Sequence, residues 1–390
     1  VNAYAQVIRE DPKNPNLLYY GSEYGLFASW TGGTQWTKLS LKNLPNVAVH
    51  EVLVHPREND LIVATHGRAL WVFDDASPIQ QMSAAIAAKP AHLFPMRVAT
   101  RFNLGDQSLN FGHKQYRGQN AAYGALITYW LARSDSTVKV EILKDGQVIR
   151  QLRKPPTAAG FNRTTWDLRM APSLALSDTP ADSADEDGAR GRVPGAQVLP
   201  GSYTVRITVG GQSQEQPLTV RLDPTATFAD ADVKLQFAQA TRLVATVNTL
   251  IETERGLAAF AVQAQERSNT ANTLRADAAR ELVAATKEEL RKLDSVRLQL
   301  TRPSTDVAPY YSEGPRPLQR ASALLSNIDA GLTPVIPGQV EYTGEVRRDA
   351  DVVMTMIDTQ IRATATRLNP MLEKLDLPKL VVPAKKPLAM

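Results

Sequence analysis

The chain has 390 residues, 44 Lys and Arg against 40 Asp and Glu, a formal charge of +4 and a pI near 9.1. The charges are interspersed, with no basic run flanked by stacking aromatics, which argues against a nucleic-acid surface. Cysteine is absent, so disulfides, thiolate metal sites and cysteine nucleophiles are excluded, and no stretch approaches the ~18 apolar residues of a membrane span.

At ~100–200 residues per domain, the length accommodates two or three domains. From the start, short β-rich runs alternate with turn signals. Asn16 to Gly21 and Gly25 to Ser29 predict an antiparallel pair, followed by a Gly32-Gly33 turn and a strand ending near Leu39. The pattern recurs at a constant offset: Asp11-Pro12 aligns with His55-Pro56, Leu18 with Ile62, Leu26 with Leu70 and Phe27 with Trp71. A repeat of this length is the size of a propeller blade. Residues 1–80 are therefore expected to be the last blades of a β-propeller; closure takes about four to eight blades, so the remainder is expected upstream. Residues 81–118 read as a connector around Leu93-Phe94-Pro95.

Residues 119–225 change to a separate all-β pattern. Ala125, Ile127, Tyr129 and Leu131 alternate, then Val138, Val140 and Ile142, and Asp145-Gly146 supplies a type I′ hairpin turn. Further strands are expected at Thr164 to Leu168, Tyr203 to Val209 and Pro217 to Leu222. About seven strands over ~100 residues suggest an immunoglobulin- or fibronectin-like sandwich, interrupted by a loop from Ser173 to Arg192.

Residues 226–380 turn helical. Thr227 and Asp230 form a capping-box-like start, and Val233, Phe237, Ala240, Val244, Val247 and Ile251 follow as a seam. A second helix spans 272–300. A third carries Leu318, Ala321, Leu325 and Ile328 and stops at Gly331. A fourth carries Ala350, Val353, Ile357, Ile361, Ala365 and Leu368, with Pro370 expected to kink or end it. Together they predict a helical bundle or hairpin, and 381–390 reads as a frayed tail. The fold class is thus multidomain β plus α.

The corner Ser29 to Trp36 resembles the Asp-box (BNR) repeat of bacterial neuraminidases, with Ser29, Gly33 and Trp36 in register and Thr31 where the Asp would stand. Ser29, Gly32, Gly33 and Trp36, with Trp71 of the second repeat, read as structural. The wider layout resembles a family of large bacterial exported proteins labelled sortilin-like or glycosyl-hydrolase-like repeat proteins. The matching residues are Thr65-His66-Gly67-Arg68, Trp71-Val72 and Asp74-Asp75, then Ala91 to Pro95, Tyr123-Gly124-Ala125, Asn162-Arg163, Trp166 to Arg169 and Leu199 to Tyr203. Ala69 departs from a Gly often seen after the Arg. The resemblance implies this architecture and an extracytoplasmic location, periplasmic, secreted or cell-surface.

Strand direction places Glu23-Tyr24 and His66-Gly67-Arg68 on the propeller face opposite the Gly32-Gly33 corner. Glu23, Tyr24, His66 and Arg68 are the candidate ligand-binding residues, the Arg offering a bidentate fork for a carboxylate or phosphate. Sialidase-type chemistry needs a Tyr nucleophile, carboxylates and several Arg; Glu23, Tyr24 and Arg68 are only a fragment of that set, and no catalytic residue is assigned. His50, His55, His66, His92 and His113 show no metal spacing. The acidic run Asp182 to Gly188 fails as a calcium loop, with Ser183 and Pro194 where carboxylates are needed. No phosphate loop or nucleophile elbow is present, and no metal or cofactor is expected. The leading reading is a non-catalytic binding or scaffold protein whose partner is a protein, peptide or glycan; the alternative is a sialidase-like glycoside hydrolase with its chemistry on other blades.

Overall fold

The computed structural model describes residues 4–39, 41, 44–102, 118, 120–175, 192–227, 229–274, 277–301, 316–331 and 333–388. The fold is mixed β plus α, with several sheets followed by C-terminal helices. The chain forms two compact units. One comprises Val1–Arg101, Asp106–Leu168 and Pro200–Asp223; the other comprises Phe102–Gly105, Arg169–Leu199 and Pro224–Met390. Residues 169–199 group with the helices, so the 119–225 segment is divided between the units.

The first unit opens with a four-stranded antiparallel sheet, β1 (Ala5–Glu10), β2 (Leu18–Ser22), β3 (Gly25–Ser29) and β4 (Thr37–Lys38), in sequence order. A three-stranded sheet follows, β5 (Val49–Val54), β6 (Leu61–Thr65) and β7 (Leu70–Phe73). Alternation along each strand sends Val7, Tyr19, Leu26 and Ala28 from one sheet and Val49, Val52 and Val63 from the other into a shared core. Gly21 marks the closest approach, since a Cβ there would lie 2.5 Å from the Val49 carbonyl oxygen.

The opposite faces are also apolar. Cross-strand register aligns Ile8, Tyr20 and Phe27 on one sheet and Leu53, Ile62 and Val72 on the other. Ile8, Leu53 and Val72 remain 54%, 54% and 56% exposed, where a sheet facing water would carry polar side chains.

The repeat is visible in its turns. Asp11 Oδ1 accepts hydrogen bonds from Lys13 N and Asn14 N at 2.8 and 3.0 Å, and at the equivalent position His55 Nδ1 accepts from Glu58 N at 3.1 Å. Asp11 Oδ2 also accepts from the Tyr19 hydroxyl at 3.0 Å and from Gln80 Nε2 at 2.9 Å. Burial, followed by the Asp11 charge, pushes the Tyr19 hydroxyl well above the ordinary tyrosine range. The second repeat turns at Ala69, which sits at φ 60°. An L-residue there costs about 1–2 kcal/mol that Gly avoids. Ala69→Gly is therefore expected to stabilise the first unit by about 1 kcal/mol, read as a raised denaturation midpoint in urea.

Two short helices, α1 (Ser77–Gln81) and α2 (Ala84–Ala87), follow β7. The expected connector then contributes strands: β8 (Ala91–Leu93) pairs with β10 (Ala125–Leu131), and β9 (Ala99–Arg101) runs parallel to β15 (Gln212–Leu222). Three residues are too short to reveal an alternation, so these strands exist only through their partners. With β11 (Lys139–Lys144), β12 (Gln147–Gln151), β13 (Gly160–Trp166) and β14 (Gly201–Val209), they form sheets ordered β13-β10-β8 and β12-β11-β14-β15-β9. Asp145-Gly146, at φ 50° and 80°, closes β11 and β12 as expected. Trp166 and Tyr203, one from each sheet, meet edge to face at 5.4 Å. Tyr203, Val205 and Ile207 are buried as the alternation requires.

The second unit contains α3 (Asp230–Asn272), α4 (Asp277–Leu300), α5 (Pro317–Ile328) and α6 (Pro337–Glu373) around one apolar core. Of the expected seam, Val233, Ala240, Val247 and Ile251 are buried, while Phe237 and Val244 pack half-buried at its flank. Leu243, Leu250, Leu257 and Phe260 complete it. The expected Thr227 cap is replaced: Ala229 is the N-cap, without a side-chain bond, and Asp230 and Asp232 favour the first turn by charge. Pro370 lies inside α6, close enough to its end that the helix continues to Glu373. Buried Glu289 ties α4 to α6, accepting from Arg367 at 2.6 Å and Thr364 at 2.9 Å. Burial alone would raise its pKa, but hydrogen bonds from Lys292, Arg367 and Thr364 outweigh it and hold the carboxyl below its usual range.

The tail is docked where fraying was expected. Asn369 brackets Leu380 through both its backbone groups, Gln263 accepts from Val381 N, and Lys386 meets Glu252 at 2.9 Å. Leu380 is buried. A proline-rich segment without periodicity still docks when a helix pair offers it polar partners and an apolar floor.

Candidate functional site

The Ser29 to Trp36 corner is held by its own side chains. Ser29 Oγ accepts from Gly33 N at 2.9 Å and Thr31 N at 3.3 Å, and Thr31 Oγ1 accepts from Gln35 N at 2.9 Å. The hydroxyl of Thr31 thus helps to close the turn. Gly32 and Gly33 sit at φ 62° and 93°, and Trp36 packs edge-on to Tyr20 at 5.5 Å. In the second repeat the Trp71 indole N–H donates to the Arg68 carbonyl at 2.9 Å. These contacts are internal, the geometry of a scaffold.

The two loops at the other strand ends differ. Between β2 and β3, Ser22 Oγ accepts from Tyr24 N at 3.1 Å and donates to the Gly25 carbonyl at 3.2 Å, so the turn is closed without using Glu23 or the Tyr24 hydroxyl. Both side chains are exposed. Between β6 and β7, His66 N donates to the Ala48 carbonyl at 2.9 Å and the imidazole stacks on His50 at 5.1 Å, while Arg68 is exposed. Val49 connects the loops: it pairs with Thr65 and abuts Gly21, putting both at the same end of the two sheets. The structure therefore gathers Glu23, Tyr24, His66 and Arg68 at one end and adds His50, which the sequence reading weighed only as a metal ligand.

Chemically, this end offers a guanidinium fork, two imidazoles, a phenol ring and a carboxylate. Among the described residues, no hydrogen bond joins the Tyr24 hydroxyl to a carboxylate, the pairing that a Tyr nucleophile requires. The described residues also contain no cluster of three metal-ligating side chains. His113 and the Asp182 to Gly188 run lie outside them.

A polar knot went unrecognised in the sequence. Arg163 Nη1 donates to the Asp74 carbonyl, Nη2 to the Asp75 carbonyl at 3.0 Å, and Nε to Thr128 Oγ1 at 3.0 Å. Burial lowers the Arg163 pKa, opposed by Asp75 and Asp74, and burial with the neighbouring Asp60 charge raises that of Asp74. Asp60 in turn accepts from Asp75 N at 2.8 Å and pairs with Arg97 at 3.2 Å. With its bonds directed to backbone carbonyls, the knot is structural. Asp74-Asp75 and Asn162-Arg163 each stand out in the sequence, but their meeting is not a local property.

No helix among the described residues is long and apolar enough to cross a membrane. No protein-family model matches the chain, and no curated protein does. Two solved structures align with parts of it, the extracellular domains of two hybrid two-component systems from B. thetaiotaomicron. One shows 10% identity over 57% of this chain and 26% of that domain, the other 9% over 56% and 32%, each with a TM-score of 0.16. The chain thus spans less than a third of either domain, and superpositions this loose carry no argument about its fold or function.

Proposed function

We propose that residues 1–80 are blades of a β-propeller in an exported binding protein. It recognises a protein, peptide or glycan through the loops bearing Glu23, Tyr24, His66 and Arg68, with an immunoglobulin-like sandwich and a helical bundle attached. The observation that carries the binding reading is the contrast between the two loop ends. In the Ser29 to Trp36 corner, Ser29, Thr31 and Thr34 bond the turn backbone and Trp30 Nε1 donates to the Ile79 carbonyl at 2.7 Å, whereas Glu23, Tyr24 and Arg68 are exposed with side chains uncommitted among the described residues. Exposed polar and aromatic loop residues on a rigid scaffold are where binding concentrates.

The propeller reading is supported by the apolar rows on both outer faces, Ile8 with Tyr20 and Phe27, and Leu53 with Ile62 and Val72. A sheet apolar on both faces is suited to the interior of a stack, with a further sheet on each side. The extracytoplasmic location rests on the Thr65 to Asp75 and Ala91 to Pro95 resemblance.

The test is binding to an array of sialylated and neutral glycans and to a peptide array. Tyr24→Ala and Arg68→Ala are expected to weaken binding about tenfold each, as for a lost charged or aromatic contact, with unchanged melting temperature. Turnover of a fluorogenic sialoside that falls by about two orders of magnitude in Tyr24→Phe, the scale of a lost catalytic group, would replace binding with the hydrolase reading.

A further inference from the structure

The docked tail crosses from one long helix to another. Its adjacent lysines reach different partners: Lys385 Nζ donates to Thr355 Oγ1 of α6 at 2.9 Å, and Lys386 pairs with Glu252 of α3 at 2.9 Å. Pro383 and Pro387 flank the pair, and their fixed φ lowers the entropy lost when the segment is ordered. Residues 383–386 and the two helices together enclose a cavity of about 360 Å³.

Helical spacing builds the floor. Met354, Ile357 and Ile361 recur at intervals of three and four on α6, so they share one face, and all three are buried. On α3, Gly256 stands one turn beyond Glu252 and contributes no side chain. A Cβ there would meet only Pro383, at 3.6 Å, an ordinary contact. Glycine inside a helix is destabilising relative to alanine, so this position forgoes helix stability and leaves open space.

The polar groups around the floor are mostly spent. Glu252 is met by Lys386, and Asp358 accepts from Arg362 Nε at 2.9 Å. Arg255 donates to the Ala175 carbonyl at 2.8 Å. Lys385 is different: it is exposed, bonds a neutral hydroxyl, and meets no carboxylate among the described residues. The cavity therefore joins an apolar floor to one cation whose charge is uncompensated.

We propose that this cavity binds a medium-chain carboxylate, with its alkyl chain on Met354, Ile357 and Ile361 and its carboxylate on Lys385. An apolar floor with a few polar groups at its rim is the usual setting of a small ligand, and the volume lies in the usual range. At about 30 Å³ for each water-sized group, the space takes roughly a dozen non-hydrogen atoms, the size of an acid of about eight to ten carbons. An alcohol of that length fills the floor and leaves Lys385 unpaired; a short acid does the reverse.

Calorimetric titration of the 390-residue chain with octanoate, butanoate and 1-octanol, at one pH and ionic strength, tests the assignment. Affinity is expected to rise roughly threefold for each CH₂ added between butanoate and octanoate. Octanoate should bind about threefold more tightly than 1-octanol, the scale of one exposed ion pair. Lys385→Met keeps the length of the side chain and removes its charge, so it should abolish that preference and leave 1-octanol binding unchanged. Gly256→Leu should fill the cavity and abolish octanoate binding without lowering the melting temperature, because Leu is the better helix former. Lys385→Met, at an exposed position, keeps the proposal falsifiable whatever Gly256→Leu does to the fold. Equal affinity for butanoate and octanoate, a carboxylate preference that survives Lys385→Met, or no saturable octanoate binding at roughly millimolar concentration would each overturn it. So would octanoate binding that persists in a folded Gly256→Leu variant, which would move the ligand to the exposed apolar strand faces of the first unit.

Discussion

Gly124→Ala is expected to destabilise the first unit by about 3–5 kcal/mol, from backbone strain together with overpacking. Gly124 precedes β10 at φ 117°, a conformation L-residues rarely adopt, and an added Cβ would point into the carbonyl of Trp166, the residue that pairs with Ala125. The obstruction is backbone within a sheet, so no rotamer change relieves it, and moving it would disturb Trp166, which is fully buried. Gly210→Ala is the control. It sits at φ 56° with open space around the position of its Cβ, so it should cost only about 1–2 kcal/mol. Urea denaturation followed by tryptophan fluorescence reads the difference. Equal costs for the two variants would mean that the Gly124 contact relaxes freely and that steric closure there is not what specifies the sheet.

Phe260→Ala is expected to cost the helical unit about 3–5 kcal/mol, the transfer free energy of the ring plus the cavity left behind. Phe260 is wholly buried in the core shared by the four helices. At the entropy of unfolding of a unit this size, the loss corresponds to a fall in melting temperature on the order of 10 °C, followed by circular dichroism at the helical band. Val262, two residues on, is 56% exposed on the same helix, and Val262→Ala should fall within about 0.5 kcal/mol of the unmodified chain. A similar loss in both variants would mean that burial of the Phe260 ring is not what sets the stability of the helical unit, since Ala is the better helix former at both positions.

The candidate loops were legible for a local reason. Asp-Pro and His-Pro turns, the Gly32-Gly33 corner and the Thr65 to Asp75 motif are short-range features whose steric and hydrogen-bonding needs are visible in the residues themselves. The sequence reading therefore located Glu23, Tyr24, His66 and Arg68 in loops. His50 was not attached to them, because its proximity to His66 depends on the antiparallel partnership of β5 and β6.

The chain's periodicities by themselves determined the β-rich beginning, the alternating strands with their Asp145-Gly146 hairpin and the amphipathic helices. A buried face must repeat with the period of its backbone, and a left-handed turn needs residues that tolerate it. Tertiary structure alone decided the rest. It made strands of Ala91–Leu93 and Ala99–Arg101, joined Arg163 to Asp74 and Asp75, and docked the tail against Gln263 and Glu252. Each of these joins residues far apart in the chain, and the energy of such a contact depends on which partner arrives, a property that neither side's local pattern contains.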